Sequence, residues 1–224
     1  MSNLWLETIG LIIGNTVQFL LIPIIWWIIF YRKKQNFPQF IGLTRPKLNS
    51  IWLLFGFFVI YFLHHRIDLI SLFERISGVD ELAISENIAE IHGNEAIQGN
   101  MVAGMGLAAL IPTFILTMYA NGLCEEAFFR GFVLKRFKKL LGTWASIIIA
   151  GVLFSLLHNV MFLLVGIEVS FLHHLGMFLS ITISGILFGV LNEIVFDGNS
   201  IVPSVLLHGL ANFFVTAQSI IHYR

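Results

Sequence analysis

Long apolar runs separated by short polar segments dominate the 224-residue chain. A run of roughly 20 apolar residues is long enough to cross a bilayer as a helix. We read six such spans, of which the second is the shortest, at residues 4–30, 50–65, 102–124, 143–165, 172–191 and 201–222. This pattern predicts an all-α, polytopic transmembrane helical bundle of about six spans.

The composition excludes a soluble domain, since 57% of the residues are hydrophobic and 12% are charged, against about 25% charged in soluble proteins. The single cysteine, Cys124, excludes an internal disulfide and a multi-cysteine metal site. The first span lacks the features of a cleaved signal peptide, so we expect it to be retained. Without repeats or low-complexity tracts, residues 1–224 are predicted to form one membrane-embedded domain, with generic spans in 1–100 and the chemical motifs in 101–224.

Basic residues concentrate between spans one and two and between spans three and four. They are Arg32, Lys33, Lys34, Arg45 and Lys47 in the first segment, and Arg130, Lys135, Arg136, Lys138 and Lys139 in the second. Segment 66–100 carries seven acidic residues against two arginines. Its acidic part, residues 78–100, is expected to form a solvated external loop, and a short surface helix is the alternative. The positive-inside rule then places both basic segments in the cytoplasm and both termini outside.

Two adjacent glutamates follow the third apolar run, in the stretch CEEAFFRGF. Glu126 and Arg130 are four residues apart, so on a helix they share a face and are predicted to form an ion pair. Glu125 points about 100° away from Glu126 around the helix axis. The residue four positions after Glu125 is Phe129, which is not basic, so Glu125 has no such ion-pair partner. One carboxylate would therefore be held by arginine while Glu125 stays available as a general base. A charged helix end at the membrane surface is the alternative interpretation.

His158 is predicted to face Glu125 from the next helix. Gly142, followed by Thr143, indicates a tight turn between two long helices. Glu125 lies 17 residues before this glycine and His158 lies 16 residues after it. Antiparallel helices would place the two side chains at the same height inside the membrane, reached from the cytoplasmic side.

The last span carries His208 and, four residues on, Asn212, which share one helix face. Ser200 is a candidate cap for this helix and Pro203 falls in its first turn. A lone histidine in a membrane helix is usually a packed, hydrogen-bonded core residue. Three spans that each carry an ionisable group at a compatible height, however, predict a functional site, because such groups are costly inside a membrane.

Other polar or small residues are given structural interpretations. Cys124 is expected to be a small buried thiol. Gly185 and Gly189 form a GxxxG pattern, which is typical of closely packed membrane helices. Glu193 and Asp197 are expected to lie in a solvated turn between spans five and six.

Three short motifs occur in order on successive predicted spans: EEAFFR at 125–130, FSLLH at 154–158 and HGLAN at 208–212. Together they resemble the EExxxR, FxxxH and HxxxN motifs of the family of CAAX prenyl endopeptidases and bacteriocin-processing enzymes. Gly131 also matches the glycine of the family's usual FRG. The resemblance covers roughly residues 103–216, and the first two spans match only as generic membrane helices.

The resemblance implies an intramembrane endopeptidase of the glutamate type, often described as a metalloprotease. Glu125 would be the base that activates water, His158 would help to hold that water, and His208 with Asn212 would stabilise the oxyanion. Glu125, His158 and His208 would also satisfy a zinc site with one open position, so zinc-activated water stays open as an alternative. In that case Glu126 would be the substitute base.

The resemblance assigns Glu126 and Arg130 to the shape and charge of the site, with Phe154 packed beside it. It implies a membrane-bound or lipidated peptide or protein as substrate and the lipid bilayer as the setting, with no nucleic acid partner; the oligomeric state stays open. Two other functions are not excluded. One is a non-catalytic immunity or scaffold protein of the same fold. The other is a proton-coupled carrier, which the lack of an inverted repeat and of paired broken helices makes less favoured.

Overall fold

The computed structural model describes residues 2–46, 50–66, 69–76, 106–164 and 170–222. Every regular element in these ranges is helical, which confirms the all-α prediction. The α-helices are α1 (Ser2–Asn15), α2 (Leu21–Phe30), α3 (Phe37–Phe40), α4 (Ser50–Arg66), α5 (Leu69–Ile76), α6 (Leu110–Leu116), α7 (Lys135–Leu141), α8 (Thr143–Leu164), α9 (Phe171–Val190) and α10 (Val202–His222). A 3₁₀ turn and four π-helical segments complete them: Gly106–Ala109, Thr16–Leu20, Thr117–Glu125, Ala127–Leu134 and Leu191–Val195.

Four continuous helices are long and apolar enough to cross a membrane, which is consistent with a multi-pass integral membrane protein. They are Leu4–Phe30, Leu107–Leu141, Thr143–Met161 and Phe171–Val195. Two shorter apolar helices, Ile51–Ile60 and Val202–Ala217, lie where the second and sixth spans were predicted. Among the described residues, four of the six predicted spans therefore correspond to full-length apolar helices and two correspond to short ones.

The third predicted span is longer than expected. It was predicted to end at residue 124, but the helix continues to Leu141 as a single unit of 35 residues, here called the long helix (Leu107–Leu141). The acidic and basic side chains after residue 124 do not end it, because Glu125, Glu126 and Arg130 are buried against other helices and Lys135 and Lys138 pair with Glu193. An α-helix of this length spans about 50 Å, more than the ~30 Å hydrocarbon core of a bilayer.

The long helix ends at the predicted turn. Gly142 has a φ of +81°, in the left-handed region that glycine adopts without strain, and α8 begins at the next residue. The predicted hairpin between the third and fourth spans is therefore confirmed. It lays α8 back against the long helix.

Small residues set the distance between α8 and α9. A Cβ added at Gly185 would lie 2.9 Å from the Cα of Gly151 on α8, and one added at Gly189 would lie 3.0 Å from the side chain of Ile147. Backbone approach this close requires small residues at the crossing. The interpretation of Gly185 and Gly189 as packing residues is confirmed.

The segment around α3 packs onto the long helix and onto the start of α10. A Cβ at Gly131 would collide with the backbone carbonyl of Ile41, so this position has room for glycine alone. The amide of Ile201 donates to the carbonyl of Gly42 at 2.9 Å. These contacts join three segments that are distant in the chain, and they give a packing reason for the glycine that follows Arg130.

The segment before the predicted external loop is helical. Residues Leu69–Ile76 form α5, which packs on α9 so closely that a Cβ at Gly176 would lie 2.8 Å from the Cα of Ile70. The predicted loop itself, residues 78–100, lies outside the described residues.

Glu193 is the clearest error among the sequence-based expectations. Its side chain is 1% exposed, and its two carboxylate oxygens each contact one lysine at 2.5 Å, Lys135 and Lys138. Lys135 also donates to the carbonyl of Gly198. The acid joins the end of α9 to the end of the long helix, whereas Asp197 is exposed as predicted.

We predict that Glu193→Gln lowers the free energy of unfolding by about 2 kcal/mol, because one of two charge-assisted hydrogen bonds is lost from a buried acceptor. Thermal unfolding in detergent measures the effect. Asp197→Asn is the matched control, since it removes an exposed carboxylate, and asparagine tolerates the residue's positive φ of 60°. Equal unfolding temperatures for the two variants and the parent would show that Glu193 is solvated after all.

Candidate active site

Three helices bring the predicted acidic and histidine residues together. The long helix carries Glu125 and Glu126, α8 carries His158, and α10 carries His208. His158 Nε2 lies 3.9 Å from Glu125 Oε2, and His208 Nδ1 lies 3.0 Å from Glu126 Oε1. The convergence expected from the spacing around Gly142 is therefore present.

Glu126 and Arg130 form the predicted ion pair. Arg130 Nη1 donates to Glu126 Oε1 at 2.8 Å, and neither side chain has any exposed surface. The other terminal nitrogen of Arg130 donates to the carbonyl of Gly185 at 3.0 Å. Its guanidinium also lies 4.7 Å from the ring centre of Phe154 and 5.3 Å from that of Phe188, positions in which aromatic rings attract a cation.

Glu125 is nearly as buried but is not bonded to the arginine. It is 6% exposed, and its Oε2 has no hydrogen-bond partner among the residues that the structure describes. This oxygen is the one that faces His158. The two adjacent acids thus have the different surroundings predicted for them, one fixed by Arg130 and one available.

The ring of His158 has a defined proton arrangement. Its Nδ1 lies 2.8 Å from the carbonyl of Phe154, and because a carbonyl only accepts, Nδ1 carries the hydrogen. In the neutral ring, Nε2 is then an acceptor, and it is this nitrogen that faces Glu125. His158 is also the most accessible of the four site residues, with 34% of its side chain exposed.

The ring of His208 is fixed in a similar way. Its Nδ1 meets the Glu126 oxygen that already accepts from Arg130. An ionised carboxylate only accepts, so Nδ1 of His208 is the donor. The ring also stacks on Phe188, with ring centres 5.0 Å apart and an angle of 28° between planes. Its Nε2 is left for a ligand.

Asn212 is on the predicted helix face but is not brought into contact with the site. It lies one turn beyond His208 on α10, and its backbone carbonyl accepts from the hydroxyl of Thr216 at 3.0 Å. Its carboxamide forms no hydrogen bond with any residue in the described ranges. The part of the prediction that pairs it with His208 therefore stays a prediction.

Direct backbone contact between the long helix and α10 sets the distance between Glu126 and His208. A Cβ at Gly122 would lie 2.8 Å from the carbonyl oxygen of Val205, and one at Gly209 would lie 3.0 Å from the Cα of Met118. Gly209 is next to His208, and Gly122 is one turn before Glu126. This crossing brings the imidazole within reach of the carboxylate.

The long helix is wound as a π-helix on both sides of Glu126, over Thr117–Glu125 and Ala127–Leu134. Such wide turns are rare and occur mostly at functional sites. Residues in a π-helix are rotated relative to their α-helical positions. The local winding therefore distinguishes the part of the helix that carries both acids.

The arrangement does not fit the zinc site left open by the sequence. In the described ranges, no three His, Cys, Asp or Glu side chains are grouped so that they could hold a metal ion. A zinc site needs its nitrogen and oxygen ligands at about 2.0–2.2 Å from one point. Glu125, His158 and His208 are not disposed in this way.

Two buried polar residues that bond to each other were not predicted from the sequence. Asn192 is 1% exposed and Ser204 has no exposed surface, and Nδ2 of Asn192 donates to Oγ of Ser204 at 2.7 Å. Ser204 lies on α10 one turn before His208. The available signal was an asparagine within the apolar run LFGVLNEIV.

Comparison with known proteins identifies the central part of the chain. Residues 107–214 match the family model described as type II CAAX prenyl endopeptidase Rce1-like. This part of the chain, which holds all six predicted site residues, belongs to that family, as the three motifs predicted. Searches of curated proteins and of solved structures gave no match.

We predict that Gly122→Ala lowers the free energy of unfolding by roughly 1–3 kcal/mol, because the added methyl forces the long helix away from α10. The separation should also move Glu126 away from His208. Gly14→Ala is the control. Nothing lies within 4 Å of a Cβ at Gly14, so that variant should gain up to about 1 kcal/mol. Unfolding temperatures in detergent compare the two, and a Gly122→Ala protein as stable as Gly14→Ala would contradict the crossing.

Proposed function

We propose that this member of the Rce1-like type II CAAX prenyl endopeptidase family is an intramembrane endopeptidase that hydrolyses a peptide bond with water activated by Glu125. Family membership supports a peptidase. The observation that carries the mechanism is the 3.9 Å separation between Glu125 Oε2 and His158 Nε2. Both atoms face each other, and the Glu125 oxygen lacks another partner in the described part of the chain.

A separation of 3.9 Å is too long for a direct hydrogen bond and suits two groups bridged by one water molecule. Glu125 and the Nε2 atom of neutral His158 are both acceptors. A bridging water would therefore donate one hydrogen to each and keep a lone pair free. That lone pair is directed away from both residues, toward the space where a substrate carbonyl would lie.

In the first step, the water oxygen forms a bond to the carbonyl carbon while Glu125 takes the proton from water. The carbonyl oxygen becomes a negatively charged oxyanion. In the second step, the carbon–nitrogen bond breaks and protonated Glu125 returns its proton to the leaving amine. The products are a carboxylic acid, which passes its proton to the amine or to solvent and becomes a carboxylate, and an amine, and Glu125 is again ionised for another cycle.

His208 would stabilise the oxyanion through Nε2. Since its Nδ1 already donates to Glu126, the ring can donate from Nε2 only as the doubly protonated imidazolium. Asn212, one turn further along α10, is the second proposed oxyanion donor, and it would have to turn toward the bound substrate.

Glu126 and Arg130 are proposed to hold the charge of the site in place. Arg130 neutralises Glu126 and fixes the oxygen that contacts His208. A low-dielectric site strengthens all of these interactions. Donors that are already oriented toward a developing charge also need no rearrangement during the reaction.

The substrate is proposed to be a membrane-bound or lipidated peptide, since two of the three helices that carry the site are long and apolar enough to cross a bilayer and the third is a shorter apolar helix. The basic segments at residues 32–47 and 130–139 support an arrangement with the site open to the cytoplasmic side of the plasma membrane. Substrates would be found by comparing the membrane proteomes of cells that carry the parent protein and its Glu125→Gln variant.

We predict that Glu125→Gln lowers kcat for a substrate so identified by about 10²–10⁴-fold, because the amide cannot accept the proton of water. Glu7→Gln, which changes an exposed glutamate on α1, should keep the parental rate. Cleavage is measured with purified protein in lipid vesicles, and unfolding temperatures verify folding. A Glu125→Gln protein that cleaves at the parental rate would refute the assignment of the base.

We also predict that His208→Ala lowers kcat by at least about 100-fold while KM changes little, because the oxyanion exists in the transition state and not in the bound substrate. Steady-state rates over a range of substrate concentrations separate the two constants. Asn212→Ala should also lower kcat with little change in KM, but by a smaller factor. A rise in KM at constant kcat for either variant would instead indicate a role in substrate binding.

A further inference from the structure

Arg136 is a partly buried cation whose hydrogen-bond donors lack acceptors. It lies on α7, near the end of the long helix. Its Nε and Nη2 atoms are buried and have no hydrogen-bond partner among the described residues. A guanidinium group has five N–H donors and keeps its charge, and buried donors without an acceptor are costly. Buried polar groups of native proteins have partners, so the missing acceptor points to a ligand.

Three aromatic rings from separate segments hold the guanidinium of Arg136. Its Cζ atom lies 4.4 Å from the ring centre of Phe40 on α3, 5.1 Å from that of Phe132 on the long helix and 5.2 Å from that of Tyr31, which follows α2. We call these three rings the aromatic cage. Ring faces in such positions attract a cation. They offer no oxygen acceptor to its N–H donors, so the cage fixes the position of Arg136 and leaves its hydrogen bonds to be made.

Lys34 brings a second positive charge to the same cage. Its Nζ lies 5.5 Å from the centre of the Tyr31 ring, and its side chain is exposed. The sequence has no acidic residue at 31–50 or at 127–142, so neither segment supplies a carboxylate to Lys34 or Arg136. Two cations beside one ring repel each other, and an anion bound between them would remove that repulsion.

Other cations near the end of the long helix do have acidic partners. Arg130 is paired with Glu126, and Lys135 and Lys138 each contact one oxygen of Glu193. Both oxygens of Glu193 are therefore occupied by lysines. The positive charge at the aromatic cage is left for a partner from outside the chain.

The surface next to the cage is apolar and suits lipid chains. Five residues of α2 that come shortly before Tyr31 are each at least 40% exposed: Ile25, Trp26, Ile28, Ile29 and Phe30. Tryptophan and tyrosine side chains are enriched at the level of the lipid headgroups, which is where Trp26 and Tyr31 would place the cage. An anion that carries acyl chains can contact both the cations and this surface, whereas a soluble anion contacts the cations alone.

We propose that Arg136 and Lys34 form a binding site for the phosphate group of an anionic phospholipid. The phosphate oxygens accept hydrogen bonds from both side chains at the aromatic cage, and the acyl chains lie along α2. Basic pockets between membrane helices bind such headgroups in this way. Arg136 lies ten residues beyond Glu126 in the chain, and the lipid site does not depend on the proposed function.

Native mass spectrometry of the whole protein in detergent, titrated with dioleoylphosphatidylglycerol, measures the affinity of the tightest lipid site. Arg136→Gln should weaken this binding about tenfold or more, as the loss of a hydrogen bond between charged groups does. Arg32→Gln is the matched control, because it removes an exposed arginine of the same basic segment. It should weaken binding about fivefold at most, the usual effect of one cation near an anionic lipid surface. Equal losses in the two variants would show unspecific attraction and overturn the site.

Lys34→Gln tests the same site without changing a buried group. Since Lys34 is exposed, this variant should fold even if Arg136→Gln does not. It removes one charge, as Arg32→Gln does, but it should weaken the tightest binding at least about threefold more than that control, because it loses a direct contact with the phosphate. Equal affinities of Lys34→Gln and Arg32→Gln would overturn the site formed by two cations.

Thermal unfolding in detergent distinguishes a lipid from a soluble anion. Phosphatidylglycerol should raise the unfolding temperature of the parent protein and of Arg32→Gln, because a ligand that binds the folded state stabilises it. The same lipid should have a smaller effect on Lys34→Gln. Inorganic phosphate at equal concentration and ionic strength should leave the parent unchanged. Equal stabilisation by inorganic phosphate, or by zwitterionic phosphatidylcholine, would overturn the assignment to an anionic phospholipid.

Discussion

The site is organised around one fully buried ion pair, Glu126 with Arg130. Neither side chain reaches the surface, and breaking such a pair by removing one partner typically costs about 3–5 kcal/mol, because an uncompensated charge is left behind. The pair persists because each member has further partners. Arg130 bonds the Gly185 carbonyl and Glu126 bonds His208, so the long helix, α9 and α10 are joined at this point.

The same pair explains why two adjacent glutamates can differ in role. Glu126 is fixed by the arginine and, through its other contacts, sets the position of the His208 ring. Glu125, one residue earlier, faces the opposite histidine, His158, across a gap of 3.9 Å. The close crossing of the long helix, at Gly122, with α10 keeps Glu126 near His208.

Features that depend on one helix or one turn could be predicted from the sequence. The pairing of Glu126 with Arg130 follows from a spacing of four residues, and the hairpin follows from Gly142 and its neighbours. The shared height of Glu125 and His158 needed only the distance of each from that turn. The family motifs supplied the order of the three helices, and residues 107–214 match the family as expected.

Features that depend on how helices cross could not be predicted in this way. Glu193 was assigned to solvent because its lysine partners lie about 55 to 58 residues away, and no local spacing indicates such a contact. The unbroken continuation of the long helix past residue 124 has the same origin, since charges end a membrane helix only when nothing buries them. The role of Asn212 stays open because it depends on a bound substrate.

The claim on which the account depends is that Glu125 and His158 share one water molecule. A crystal structure of the protein in a lipidic phase, at a resolution that shows ordered water, measures this directly. The account predicts a water within hydrogen-bond distance of both Glu125 Oε2 and His158 Nε2. Two side chains that point into separate spaces, or that touch each other with no room for water, would contradict it.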